Sequence, residues 1–245
     1  MTAVTLALLN TMFVSTLPAG VDTTDGLPTV REVLERYVEA LGGPAAIESL
    51  TTRVCVGRII NDLSWTTPRY EVVPFAAYGA LPDRVLMVEH QTGGTRCEGS
   101  DGEVTWVQDA EGVTMKDDPF RLKTAWLMDP HNALRIGEYF PDLRVVSERP
   151  LDDRWVYVVE SSELDPTYYA LAFDVETGLL LSIGYYWYLE DYREVDGVKI
   201  PHRIHMSRKG GSTAFVFDLV DHNLPLEEIL FSAPAPVQAR QPDGE

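Results

Sequence analysis

From Thr51 to about Asp221 the apolar residues of this chain recur with a period of two, in runs separated by tight-turn pairs. Those pairs are Gly93-Gly94, Asp101-Gly102, Glu111-Gly112, Thr177-Gly178, Asp196-Gly197 and Gly210-Gly211. Alternation sends successive side chains to opposite faces of a strand, and Gly supplies the positive φ that a two-residue hairpin requires. Strands are therefore expected around Arg53 to Ile60, Tyr70 to Val73, Arg84 to His90, Thr95 to Glu98, Val104 to Gln108 and Val113 to Lys116. A second group follows at Leu143 to Ser147, Trp155 to Ser161, Tyr168 to Asp174, Leu179 to Leu189, Lys199 to Ser207 and Ser212 to Asp221. About eleven or twelve antiparallel strands in hairpin succession make one large curved sheet.

Helical spacing interrupts this pattern twice. Thr29 and Glu32 form a capping box, and Val30, Val33, Leu34, Tyr37, Val38 and Leu41 follow at helical intervals until Gly42 and Gly43 stop the helix. A short helix from Pro44 to Leu50 packs back after the Gly pair. Between the two β groups, Pro119 to Phe140 carries two helical pieces, PFRLKTAWLM and PHNALRIGEYF, with Asp129 as cap and Pro130 in the first turn of the second. The fold class is α+β, mainly antiparallel β, with helices against the sheet.

The run LLLSIGYYWYLE (179–190) has no plainly solvated face if it is a single strand. One reading makes it a central strand covered on both sides. The other lets one face line an apolar cavity, with Gly184 leaving room and Tyr hydroxyls supplying a few polar contacts. Trp65, Trp106, Trp126 and Trp187 are natural walls of such a cavity and equally natural core residues. Met128, Phe173, Ile183 and Tyr185 complete the candidate lining.

Lys and Arg number 20 against 38 Asp and Glu, a net charge of −18. A chain this acidic, with no basic cluster, lacks the face that nucleic acid or an anionic membrane needs. No run reaches the roughly 18 apolar residues of a membrane-spanning helix, so no integral membrane segment is expected. The length of 245 residues fits one large domain over 21–233, with a linker-like tail over 234–245. Residues 1–20 have the apolar, small-residue outline of an export signal but carry no Lys or Arg. The protein is thus expected in the periplasm or secreted, or in the cytoplasm if that segment is an ordinary strand or helix. No cysteine of a lipobox follows it. Cys55 and Cys97 lie in strand-like runs with no metal-ligand spacing, and pairing between them is left open.

Signatures of common catalysis are missing: no GxSxG, HExxH, phosphate-binding Gly loop or dinucleotide fingerprint occurs. His202 and His205 sit at odd spacing in a strand, which sends them to opposite faces. His131 lies at the start of the second insert helix, and His90 and His222 end strands. Asp117-Asp118, Asp152-Asp153 and Glu190-Asp191 read as solvated pairs of an acidic surface. No metal and no cofactor is implied, and the catalytic residues, if any, are unknown.

Several segments together are similar to one family: ERYVEALGGPAAIESLTT, DGEVTW, FDVETGLLLS, EDYREVDGVKIPHRI and LVDHNLPLEEILFSAP. Across Val30 to Pro234 the chain resembles a divergent member of the outer-membrane lipoprotein-sorting, LolA-like superfamily. The resemblance implies an unclosed half β-barrel of about eleven strands, with an N-terminal helix and a central helical lid over an apolar concave face. It implies a hydrophobic small molecule or acyl lipid as ligand, and an envelope protein as a further partner. The arginine that holds the lid of the lipoprotein carrier shut is not assigned to a residue by these motifs. The lead expectation is a non-enzymatic binder or carrier of a hydrophobic molecule. A cavity enzyme of cyclase or isomerase type and a structural envelope subunit are the alternatives. A solid interior with no pocket of lipid size would count against the lead.

Overall fold

The computed structural model describes residues 26–63, 69–116, 126–208 and 211–234. Trp65, the candidate export segment, the Asp117-Asp118 pair, residues 119–125 of the insert and nearly all of the tail lie outside the described residues. Helix α1 (Val30–Leu41) begins in the expected capping box, with both reciprocal bonds between Thr29 and Glu32 formed, and it buries Val33, Tyr37 and Leu41. Gly42 (φ 132) and Gly43 (φ 87) turn the chain into α2 (Pro44–Glu48), which buries Ile47.

Thirteen strands among the described residues form one antiparallel sheet. In chain order they are β1 (Thr52–Asp62), β2 (Tyr70–Ala80), β3 (Arg84–Gln91), β4 (Gly94–Ser100), β5 (Thr105–Asp109), β6 (Gly112–Lys116) and β7 (Leu143–Leu151). Then come β8 (Arg154–Ser161), β9 (Leu171–Asp174), β10 (Leu180–Ile183), β11 (Trp187–Val195), β12 (Val198–Arg208) and β13 (Gly211–His222). Their order across the sheet is β6-β5-β4-β3-β2-β1-β13-β12-β11-β10-β9-β8-β7, so the barrel is unclosed and β1 meets β13 at its centre. β6 lies at one edge and β7 at the other, and residues 126–140 from the chain between them pack over the inner face.

Period two is kept through the centre. Cys55, Ile59, Val73, Phe75, Ala77, Val85 and Phe217 face inward into the main core, with α1, α2 and the residues 126–140 packed over them. The outer face holds a smaller cluster in which Trp106, Leu86 and Ala80 are covered by Phe231 of the closing 3-10 turn (Glu228–Phe231). A third cluster gathers Val156, Val158, Ala170 and Ala172.

Three expected elements take a different form. Leu179 to Leu189 is two strands, not one, because Gly184 adopts φ 60 and the chain turns through Tyr185 and Tyr186. A Cβ at Gly184 would stand 2.6 Å from the carbonyls of Thr167 and Tyr168, so only Gly fits that turn. The strand expected at Tyr168 begins instead at Leu171, because Asp165 caps a one-turn helix α4 (Pro166–Tyr169) through Thr167 N. The helix expected from Pro130 forms only as α3 (Ile136–Tyr139), preceded by turns over 130–135.

Candidate functional site

Residues 126–140 form a cover over the inner face, and they fill it with their own side chains. Trp126, Met128, Ala133, Ile136 and Phe140 are all buried in the main core, with Trp126 edge-on to Phe140 at 6.0 Å. Beneath them a cavity of about 30 Å³ is lined by Tyr37, Leu41, Ile47, Arg53, Ile204 and Phe217 together with Trp126 and Met128. That volume holds about two water molecules, whereas sites for lipid-sized ligands usually measure some 300–1,000 Å³. In this state the cover itself occupies the ligand space expected from the sequence.

Three contacts hold the cover down. Arg53, on β1 with 3% exposure, donates from Nη1 to the carbonyl of Leu127 (2.7 Å) and more distantly to that of Asp129 (3.4 Å). Gly79 of β2 lies so close that a Cβ there would stand 2.0 Å from the Met128 carbonyl oxygen. Arg135 ties the cover to the β2–β3 turn through Asp83 (2.8 Å) and braces it internally through Asp129 (2.9 Å) and Glu138 (2.7 Å). Asp129 also accepts from Tyr139 Oη (3.0 Å) and from the His131 backbone N–H (2.8 Å).

Arg53 is itself held from behind. Its Nε donates to His222 Nε2 at 3.2 Å, and since a guanidinium cannot accept, that ring nitrogen must be bare. The proton sits on Nδ1 and is donated to Asp196 Oδ2 at 3.2 Å. Burial, followed by the neighbouring Arg53 cation, pushes the His222 imidazole down to about 4, so it is neutral at pH 7. Burial lowers the Arg53 pKa from its ordinary value, raises the Tyr37 phenol, and pushes the Cys55 thiol up to about 11. The acceptors that bond the guanidinium are therefore neutral, an imidazole nitrogen and two carbonyls, while the Asp129 carboxylate acts on it only through space.

The residues singled out from sequence are distributed as follows. Trp126 and Met128 are on the cover, and Phe173, Ile183 and Trp187 belong to the same main core. Trp106 lies on the outer face, with its indole N–H donating to Phe231 O at 3.0 Å. Tyr185 stands in the β10–β11 turn and is 54% exposed. Cys55 and Cys97 are free thiols in separate clusters, so the pairing left open is not made. His202 is buried and bonds Ile200 O at 2.9 Å, while His205 stacks on Tyr188 and reaches Glu190 at 3.2 Å. Among the described residues no group of three or more His, Cys, Asp or Glu is placed to hold a metal ion. No helix of the described residues is long and apolar enough to cross a membrane.

Sequence comparison with family models and with curated proteins finds no match. Solved structures give the fold. A LolA superfamily protein from Nitrosomonas europaea superposes with a TM-score of 0.56 at 14% identity, over 84% of this chain and 98% of that one. A domain described as an outer membrane lipoprotein-sorting protein, from Vibrio parahaemolyticus, gives 0.50 at 14% identity, over 82% and 96%. The fold is LolA-like. Within that LolA-like fold, the roles of Arg53 and Gly79 are not visible in the sequence, and His222 reads there only as a strand-end residue without a partner. The available signal was alternation: Arg53, Cys55, Gly57 and Ile59 share one face, and the last two Cβ-bearing members of that set are apolar.

Proposed function

We propose that this protein binds or carries a hydrophobic molecule, an acyl lipid or lipid-like ligand, between the inner face of the sheet and the 126–140 cover, in the periplasm or after secretion. The observation that carries the proposal is the cover's construction. It is an apolar plug held to the sheet by polar and backbone contacts: Arg53 to two carbonyls, Gly79 against Met128, and Arg135 to Asp83. A filled interior argues against a ready-made pocket, so the ligand has to displace the plug and not enter beside it.

That exchange is physically reasonable. The apolar wall released by Trp126, Met128 and Phe140 is what an acyl chain would cover, so the sheet loses no burial. Each buried CH₂ contributes about 0.8 kcal/mol, which gives roughly 12 kcal/mol for a sixteen-carbon chain before ordering costs and exposure of the plug are subtracted. Affinity would come from shape and apolar area, with few polar contacts.

Native mass spectrometry of protein purified from its own source, with organic extraction in parallel, tests this reading. The expected result is a co-purifying acyl-chain mass, or uptake of added hexadecanol at one equivalent. Protein that carries no such mass and takes up neither hexadecanol nor palmitate would overturn it.

A further inference from the structure

Arg53 is almost wholly buried and lines the cavity, yet among the described residues no carboxylate forms an ion pair with it. Asp129, the nearest acid on the cover, directs its carboxylate to Arg135, Tyr139 and the His131 backbone, not to Arg53. Asp196 reaches only as far as His222. The three hydrogen bonds of the guanidinium run from Nε and Nη1, and its Nη2 has no hydrogen-bond partner among the described residues. A buried cation whose acceptors are neutral leaves much of its desolvation cost unbalanced.

Displacing the cover removes both carbonyl acceptors at once. Nη1 and Nη2 then form an open fork at the edge of an apolar surface, with Nε still fixed by His222. A fork of that geometry takes a compact anion in a bidentate pair.

We propose that the ligand is a single-chain amphiphile with a compact anionic head, a carboxylate or a phosphate monoester, and that Arg53 binds this head once the cover lifts. The inference rests on the proposed function and adds the chemical class of the ligand. The head exchanges places with the carbonyls of Leu127 and Asp129, so ligand binding and cover release become one event. The buried cation then gains a directly hydrogen-bonded counter-ion only in the loaded state, whereas with the cover down the Asp129 carboxylate acts on it only through space.

Four probes of matched chain test it by calorimetry on the full chain: palmitate, hexadecyl phosphate, hexadecanol and hexadecyltrimethylammonium. The expected result is at least about tenfold tighter binding of palmitate or hexadecyl phosphate than of hexadecanol, with the tighter anion identifying the head. The cationic probe is expected to be weakest. In Arg53→Met the anion preference is expected to vanish while hexadecanol still binds; Arg53→Lys is expected to keep part of it. Equal binding of hexadecanol and both anions by the wild-type protein overturns the Arg53 assignment and leaves the proposed function standing. Anion preference that survives in Arg53→Met does the same. Failure of all four probes overturns both. Should neither variant fold, equal wild-type binding of hexadecanol and both anions still overturns the assignment.

Discussion

His222 carries a titration that the fold does not permit at neutral pH. Its ring is wholly buried between the Arg53 guanidinium and Asp196, and a second proton would sit on the nitrogen that accepts from Arg53. In the unfolded chain the imidazole titrates near 6.5, and in the fold near 4. Between those values only the unfolded state takes up the proton. This contribution to stability is therefore complete above about pH 6.5, is lost progressively as pH falls toward 4, and is lost no further below that. A shift of this size corresponds to about 3 kcal/mol. His222→Gln can accept from Arg53 and donate to Asp196 without titrating, so the variant is expected to show a flatter denaturation midpoint between pH 6.5 and 4. Guanidinium unfolding at half-unit pH steps measures it, and a variant whose midpoint falls as steeply as the wild type's would refute the tautomer assigned here.

At the level of elements, the outer and inner faces are separable. Trp106 on β5 lies over Gly99, where a Cβ would meet the indole at 2.6 Å, and donates to Phe231 O; Trp106→Phe removes that bond and leaves a buried carbonyl without its donor. The expected cost is about 1–3 kcal/mol, with faster amide exchange over 224–233 and none over 126–140. Gly79→Ala does the reverse: its Cβ would press on the Met128 carbonyl oxygen, a backbone atom that moves only if the cover moves. Exchange over 126–140 is expected to quicken, with a loss of about 1–3 kcal/mol. Unchanged exchange in the cover would show that β2 yields instead. These two faces also mark what the sequence makes legible. Alternation and turn pairs locate most strands, and the Thr29 capping box locates α1, because those signals are local. The break at Gly184 depends on close backbone approach to Thr167 and Tyr168, and the one-turn helix at Pro166 on the Asp165 cap, neither of which shows in the alternation of apolar residues. The pairing of Arg53 with Leu127 spans 74 positions and leaves no trace in local spacing.

For the whole molecule, the decisive property is that among the described residues the two hairpin halves pair only at β1–β13, while residues 126–140, between their far edges in the chain, pack over the inner face. The cover is therefore bound to the sheet through packing and three polar or backbone contacts, and through no strand ladder among its described residues. A ligand that filled a preformed pocket would slow exchange everywhere it touched, the cover included. A ligand that displaces the cover has the opposite local signature. It binds only the folded chain and so raises global stability, by about 2.7 kcal/mol at a free concentration one hundred times its dissociation constant. At the same time it transfers 126–140 from core to solvent. Saturation with palmitate is accordingly expected to raise the unfolding midpoint and slow exchange in β1, β12 and β13, while exchange over 126–140 becomes faster. Hydrogen exchange read by mass spectrometry on the same sample resolves the three regions. Protection that rises uniformly, cover included, would mean that the ligand enters beneath an intact lid and that the plug of Trp126, Met128 and Phe140 repacks in place; only divergent protection fits a sheet whose inner face is shared in turn by its own chain and by a ligand.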